Sequence, residues 1–213
     1  MKKTANWRFF YILKSKLLLM SFSNLSLMRE TRQMLAPHWG VGVLVAFVYL
    51  LILGGPSSAL DEVWEVVPLL FTGPLSLGFA LFSLAIVREE QPHFNQLFQG
   101  FSSYLKTFLA YFMMLVLIVV GLIFFIVPGI VISLAFSMTF YIMADRPELS
   151  FSECLYESWT LTKGYRLKYL GLSLRFIPWY FLGVLALGVG VFLVLPWHEA
   201  TNARFYEEIK RQK

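Results

Sequence analysis

The sequence is short of cysteine and of charge. Cys154 is the only cysteine among 213 residues, which excludes an internal disulfide and a cysteine-based metal site. Charged residues make up 15% of the chain and apolar residues 58%, against about 45–50% apolar residues in a typical soluble domain. This balance indicates a single membrane domain, and no linker of disordered composition divides the chain.

The sequence also lacks the motifs of the common catalytic classes. It contains no G-x-S-x-G and no glycine-rich loop followed by Lys-Ser or Lys-Thr. Its three histidines, His38, His93 and His198, have no ligand spacing such as H-E-x-x-H. We therefore expect no metal site, no cofactor and no enzymatic activity.

Basic residues are absent from most of the chain. Apart from Arg175, all Lys and Arg residues fall in four segments: 1–37, 88–106, 145–168 and the tail after Pro196. Basic side chains collect on the cytoplasmic side of a bilayer. The pattern therefore predicts a multi-pass protein of the bacterial inner membrane, with both termini cytoplasmic.

The net charge of +5 does not indicate a nucleic-acid partner, because the basic residues are spread over segments next to the spans. Attraction to anionic lipid, worth about 1 kcal/mol per residue near the surface, explains them better. We expect membrane lipids as partners, with a protein partner or a second copy of the chain as further possibilities.

Long apolar runs place the spans. Trp39–Leu53 and Val66–Val87 are the first two, with a kink expected at Gly73-Pro74. The block 107–144 is too long for one span, since about 20 residues cross the hydrocarbon, so Pro128-Gly129 is expected to form a hairpin. Residues 167–197 form two short spans or one long one. Two spans keep the basic tail inside, so we predict six spans, with five as the alternative.

Amphipathic patterns predict helices at the membrane surface. They cover Trp7–Phe22, Phe94–Leu105 and Phe151–Thr162, the last with a Ser150–Glu153 capping box and Gly164 as its end. A disordered or non-native extension is the alternative for the first. Lysines interrupt its apolar run, which argues against a signal peptide.

The predicted fold class is thus all-α: a polytopic membrane helix bundle with six transmembrane helices plus interfacial amphipathic helices. The expected organisation is an N-terminal amphipathic extension over residues 1–25, a membrane domain over 26–209 and a basic tail over 210–213.

Several segments resemble a bacterial family called domain of unknown function 975. The run from Glu153 to Arg166 is similar to its S-x-x-L-x-K-G-x-R segment. The other matching segments are Met28–Gly40, Pro128–Ile130, Phe176–Tyr180, Leu187–Gly190, Pro196-Trp197 and Phe205–Glu207. Together they cover roughly residues 26–209.

The chain departs from that family at Pro178, where a glycine is usual, at Trp197, where a tyrosine is usual, and in its first 25 residues. The resemblance implies a polytopic membrane protein without an agreed activity. A more distant likeness is to membrane domains fused to some glycerophosphodiester phosphodiesterases. Their catalytic domain has no counterpart here, so no enzyme activity carries over.

Arg175 is the one basic residue inside an apolar block, where a charge costs several kcal/mol. One interpretation is a binding residue for a substrate, a lipid phosphate or a partner, with Glu199 or a phosphate as its counter-charge. The alternative is a side chain that reaches toward a headgroup from a short, tilted helix.

Three functional hypotheses follow. The first is a non-enzymatic membrane scaffold or accessory subunit that contacts lipid or a protein partner. The second is a small transporter or channel that uses Pro- and Gly-broken helices and Arg175. The third is an intramembrane enzyme acting on lipid, which requires two residues of the set Glu89, His93, Asp145 and His198 to lie within hydrogen-bond reach.

Overall fold

The computed structural model describes residues 22–54 and 61–213, and every regular element in these ranges is helical. The α-helices are α1 (Asn24–Leu35), α2 (Trp39–Gly54), α3 (Asp61–Val87), α4 (Gln96–Gln99), α5 (Tyr104–Phe124), α6 (Ile126–Phe136), α7 (Thr139–Asp145), α8 (Phe151–Leu161), α9 (Arg166–Leu185) and α10 (Val191–Arg211). Short 3-10 turns, Ala36–His38 and Gly100–Ser103, join α1 to α2 and α4 to α5. Except for Phe22, the predicted N-terminal amphipathic segment lies outside the described residues.

Four stretches of the described chain are long and apolar enough to cross a membrane: Asn24–Gly54, Val66–Val87, Gln96–Phe124 and Ile126–Asp145. The predicted all-α membrane class is therefore confirmed for these residues. Helices α9 and α10 are not apolar enough to meet the same standard. Basic residues interrupt α9, and α10 contains many charged residues. Six spans thus stay a prediction.

Helix α10 lies at the centre of the bundle. It packs against α1, α2, α3 and α9. Residues on several of its sides are buried: Val194, Pro196, Trp197, Ala200, Thr201, Asn202, Ala203, Phe205, Tyr206 and Ile209. Helix α3 is the second central element, in contact with α2, α4, α5, α7 and α10. It continues on both sides of Pro74, and the kink predicted there stays a prediction.

The hairpin predicted at Pro128-Gly129 is displaced. Helix α5 ends at Phe124, and the break is the extended residue Phe125 (φ −164°, ψ 149°), three residues before Pro128. Pro128 lies instead in the first turn of α6, where the N–H that proline lacks would have no helical acceptor. Helices α5 and α6 then pack so closely that a Cβ on Gly121 would lie 3.1 Å from the Gly129 Cα.

The helix predicted over Phe94–Leu105 is replaced by the single turn α4, a 3-10 turn and the start of α5. Leu105, one of the apolar positions of that pattern, is 67% exposed. Tertiary packing overrides the amphipathic pattern, because this segment lies directly against the backbone of α3. A Cβ on Gly100 would lie 1.9 Å from the Pro74 carbonyl oxygen, and a Cβ on Gly78 would lie 1.9 Å from that of Leu97.

Helix α8 forms where it is predicted. The Ser150 hydroxyl accepts a hydrogen bond from the Glu153 N–H, and the Glu153 carboxylate accepts one from the Ser150 N–H. Hydrogen bonds from the Ser150 hydroxyl and backbone lower the pKa of Glu153. Just beyond the helix, Gly164 has a φ of +94°, a conformation that glycine adopts without strain.

The close contact between α3 and α4 predicts a large effect of one methyl group. Gly78→Ala is expected to destabilise the protein by about 1–3 kcal/mol through overpacking against Leu97. Gly40→Ala is the matched control, since Gly40 is also helical and its Cβ would meet nothing within 4 Å. Thermal unfolding in detergent should show a lower midpoint for the first variant only. Equal midpoints would contradict the packing described here.

Candidate functional site

A small polar cavity of about 170 Å³ lies inside the bundle. It is enclosed by α2, α3, α10 and the α6–α7 junction, and it is lined by Tyr49, Ser76, Phe79, Ala80, Ser137, Phe140, Tyr141, Leu195, Glu199 and Asn202. Hydroxyl, amide and carboxylate groups therefore meet among helices that are otherwise apolar. We name this cavity the interior pocket.

Among the residues that the structure describes, Glu199 is the only charged one that lines the interior pocket. The Tyr141 hydroxyl lies 2.6 Å from a Glu199 carboxylate oxygen and donates a hydrogen bond to it. None of the ion pairs among the described residues includes Glu199. The carboxylate thus accepts a hydrogen bond from a neutral hydroxyl, and no basic side chain of the described residues pairs with it.

Asn202 brings an unpaired polar atom to the interior pocket. The residue is 4% exposed, and its side-chain oxygen accepts no hydrogen bond from the described residues. Asn202 lies three residues after Glu199, so the two occupy the same side of α10. An unused oxygen beside a carboxylate provides two of the ligands that a hard cation prefers.

The wall of the interior pocket contains a broken helix. Helix α6 ends at Phe136 and α7 begins at Thr139, so Ser137 and Met138 interrupt the candidate span Ile126–Asp145. Ser137 lines the pocket. Irregular backbone at membrane depth is tolerated where it lies inside protein or lines a cavity. This break falls at neither proline nor glycine.

Helix α8 satisfies the backbone groups that this break leaves free. The Met138 N–H donates to the Ser158 hydroxyl over 3.2 Å, and that hydroxyl donates to the Ala135 carbonyl over 2.8 Å. Thr162 donates to the same carbonyl over 3.2 Å. Ser158 is the serine of the S-x-x-L-x-K-G-x-R segment, and Gly164 is its glycine. This segment therefore supplies hydroxyls that stabilise the broken span, and its glycine follows the end of α8.

Arg175 lies on the exposed face of α9 and does not line the interior pocket. Its guanidinium lies 3.5 Å from the Gly171 carbonyl, to which it donates a hydrogen bond. Glu199, considered as its counter-charge, instead accepts from Tyr141 inside the bundle. A binding role for Arg175 stays a prediction, and its position favours ligands at the outer surface of the bundle.

The four residues considered for an acid–base pair are dispersed. Asp145 interacts with Arg88, Tyr206 and Lys210, whereas His198 lies 3.0 Å from the Tyr180 hydroxyl. No hydrogen bond or ion pair joins any two of Glu89, His93, Asp145 and His198. This set therefore does not supply the pair that the third hypothesis required.

A charged network joins one end of the bundle. Arg88 follows α3, and its guanidinium donates to Asp145 at the end of α7 and to Glu207 on α10, each over 2.6 Å. Asp145 also accepts from Tyr206 over 3.0 Å and from Lys210. We name these five residues the Asp145 network. It connects three helices whose contacting ends are far apart in sequence.

The sequence analysis missed Glu199 as an interior group because it placed the end of the last span at Trp197. A signal was present beyond that point. Trp197, Thr201, Phe205 and Ile209 recur every four residues, and all four are buried. This spacing is typical of one helix face and indicates that the buried helix continues past Glu199.

Comparison with known proteins supports a family resemblance over the C-terminal half. A family model described as protein of unknown function (DUF975) matches residues 111–213. The resemblance predicted from the sequence segments is therefore confirmed for this part of the chain. The matched residues include α6 to α10, and with them the broken span and Glu199. No curated protein and no solved structure matches the chain.

The Asp145 network predicts a stability difference between two carboxylates. Asp145→Asn is expected to cost about 2 kcal/mol, because the variant amide leaves Lys210 without its carboxylate and leaves Arg88 with Glu207 as its one charged acceptor. Glu157→Gln is the control, since Glu157 pairs with Arg146 at a more exposed position, where a pair is worth about 1 kcal/mol or less. Chemical unfolding in detergent measures both. Equal losses would contradict the role given to the network.

Proposed function

We propose that this chain, whose C-terminal half resembles a family without an assigned activity, is a small transporter that binds a proton or a small cation at Glu199. The observation that carries the proposal is a carboxylate in an interior cavity, beside a broken helix, with no basic partner in the described chain. Ionisable groups inside membrane bundles mark ion pathways and proton relays. Broken helices are the usual walls of such sites.

The size of the interior pocket limits the ligand. Cavities that enclose drug-sized organic molecules have volumes of about 300–1,000 Å³. The interior pocket has about 170 Å³ and is therefore suited to an ion with one or two waters. For a metal cation, Glu199 and Asn202 would supply oxygen ligands, with the Ser76, Ser137 and Tyr141 hydroxyls beside them. For a proton, the Glu199–Tyr141 hydrogen bond would hold the carrier group in place.

The proposal includes six spans, with α9 and α10 as the last two. A helix as polar as α10 is compatible with a span because other helices cover it, so its polar side chains meet protein rather than lipid. The α9–α10 hairpin then returns the chain to the side from which it entered. Both termini and the Asp145 network would lie on the cytoplasmic side of the bacterial inner membrane.

Ion flux into liposomes tests the proposal. The purified full chain is reconstituted alone, and uptake is followed with a pH-sensitive dye under a proton gradient, then under Na⁺ or K⁺ gradients. Glu199→Gln is expected to reduce the flux at least about tenfold, because the variant removes the titratable, cation-binding group. Arg175→Ala is the matched control on the neighbouring helix and should retain the flux.

Two results would contradict this proposal. Wild-type liposomes without flux would remove the transport function. Loss of flux in Arg175→Ala with retention in Glu199→Gln would place the pathway along the outer face of α9, next to Arg175. Thermal unfolding of each variant in detergent separates loss of function from loss of fold.

A scaffold or accessory role is the second candidate, favoured by a charged cleft of about 930 Å³ beside the Asp145 network. Helices α7, α8 and α10 form the cleft, and Tyr156 at its edge is 70% exposed. A protein partner or a second copy of the chain would dock there. The candidate gains support if the liposomes show no flux and a stoichiometric partner purified in nanodiscs is lost on Tyr156→Ala.

The proposed orientation predicts which side of the membrane reaches the C-terminus. A Lys213→Cys variant is expected to react with a membrane-impermeant maleimide in inverted vesicles and not in intact spheroplasts. Cys154 gives little background, because it is fully buried and burial raises the pKa of its thiol. Permeabilised spheroplasts are the control. Labelling of intact spheroplasts would reverse the topology.

A further inference from the structure

A second cavity, of about 490 Å³, lies on the other side of α10 from the interior pocket. It is a groove between the α1–α2 segment and the α9–α10 hairpin, and it shares no lining residue with the interior pocket. Three tryptophans line it: Trp39, Trp179 and Trp197. We name it the tryptophan groove.

The tryptophan groove is chemically asymmetric. Arg32, in the last turn of α1, is the only charged residue of the described ranges that lines it. Its guanidinium carbon lies 6.0 Å from the centre of the Trp197 ring, and the side chain is exposed. The ion pairs among the described residues do not include Arg32. One end of the groove therefore carries a positive charge with no counter-charge among the residues that the structure describes.

The rest of the tryptophan groove is apolar and open to its surroundings. Trp179 is 42% exposed, Leu182 55% and Leu193 47%. Gly183 and Ala186 leave the floor free of large side chains. An apolar surface of this kind on a membrane helix bundle lies next to acyl chains rather than water.

We propose that the tryptophan groove binds one anionic phospholipid, with its phosphate on Arg32 and an acyl chain along Trp179 and Trp197. The planar guanidinium matches phosphate oxygens in a two-pronged geometry, which gives preference for a phosphate that is not neutralised within its own headgroup. Charge complementarity at one end and apolar shape along the rest select this ligand class together. The inference does not depend on transport through the interior pocket.

Native mass spectrometry of the full chain in detergent tests the charge at the end of the groove. The protein is mixed with equal amounts of a phosphatidylglycerol and a phosphatidylcholine with the same acyl chains, and bound lipid is counted. Wild-type protein is expected to prefer the anionic lipid, and Arg32→Gln to lower that preference about fivefold. Arg29→Gln, which removes an exposed charge of the same helix outside the groove, should leave it unchanged.

A second pair of variants tests the apolar part. Ala186→Trp fills the groove without a change in charge and is expected to reduce binding of both lipids. Leu185→Trp adds the same side chain at a neighbouring position that is 65% exposed and does not line the groove, so binding should persist. Thermal unfolding confirms that each variant is folded.

The proposal is overturned if wild-type protein binds the two lipids equally. It is also overturned if Arg29→Gln lowers the preference as much as Arg32→Gln, because the basic charge of α1 would then act without a defined site. Unchanged binding in Ala186→Trp would place the lipid outside the tryptophan groove.

Discussion

Polar side chains are costly next to lipid, so a helix that carries many of them in a membrane protein has to be covered by other helices, and the architecture of this chain follows that constraint. Helix α10 has charged and amide side chains along much of its length, yet α1, α2, α3 and α9 surround it. Lipid contact is left to the more apolar elements, chiefly α5, where large apolar side chains such as Phe112 and Val120 are exposed by 43–44%. The polarity of a soluble protein is thereby inverted, because the bilayer replaces water as the outer solvent.

The same constraint explains why the unusual groups cluster on α10 and the α6–α7 junction. A carboxylate such as Glu199 and an interrupted backbone are both costly in lipid, and both are placed where other helices cover them. Helix α8 and its C-cap stabilise the interrupted span, since the Ser158 and Thr162 hydroxyls donate hydrogen bonds to the Ala135 carbonyl. The interior pocket and the tryptophan groove lie on different sides of one central helix, so a bound lipid and an interior ion would share α10 as a common wall.

Much of this fold follows from sequence patterns, and the failures share one cause. Hydropathy predicted the four segments that are apolar enough to span a membrane, and the Ser150–Glu153 spacing predicted the start of α8. These signals are local. The break at Phe125, the short turns in place of a helix over 94–105 and the interior position of Glu199 depend on contacts with α3, α6 and α7, which no single segment reports. Hydropathy in particular measures suitability for lipid, so it underestimates a helix such as α10 that meets protein on most sides.

The α5–α6 hairpin has a tip without a polar side chain. Residues 123–127, namely Ile123, Phe124, Phe125, Ile126 and Val127, are each 69–77% exposed. When a membrane protein is made, its external hydrophilic loops are translocated across the hydrocarbon, and Lys and Arg residues in such a loop oppose translocation. The tip of this hairpin contains no charged residue. The two helices are therefore suited to insert into the bilayer together as a helical hairpin, because no hydrophilic loop between them has to be translocated.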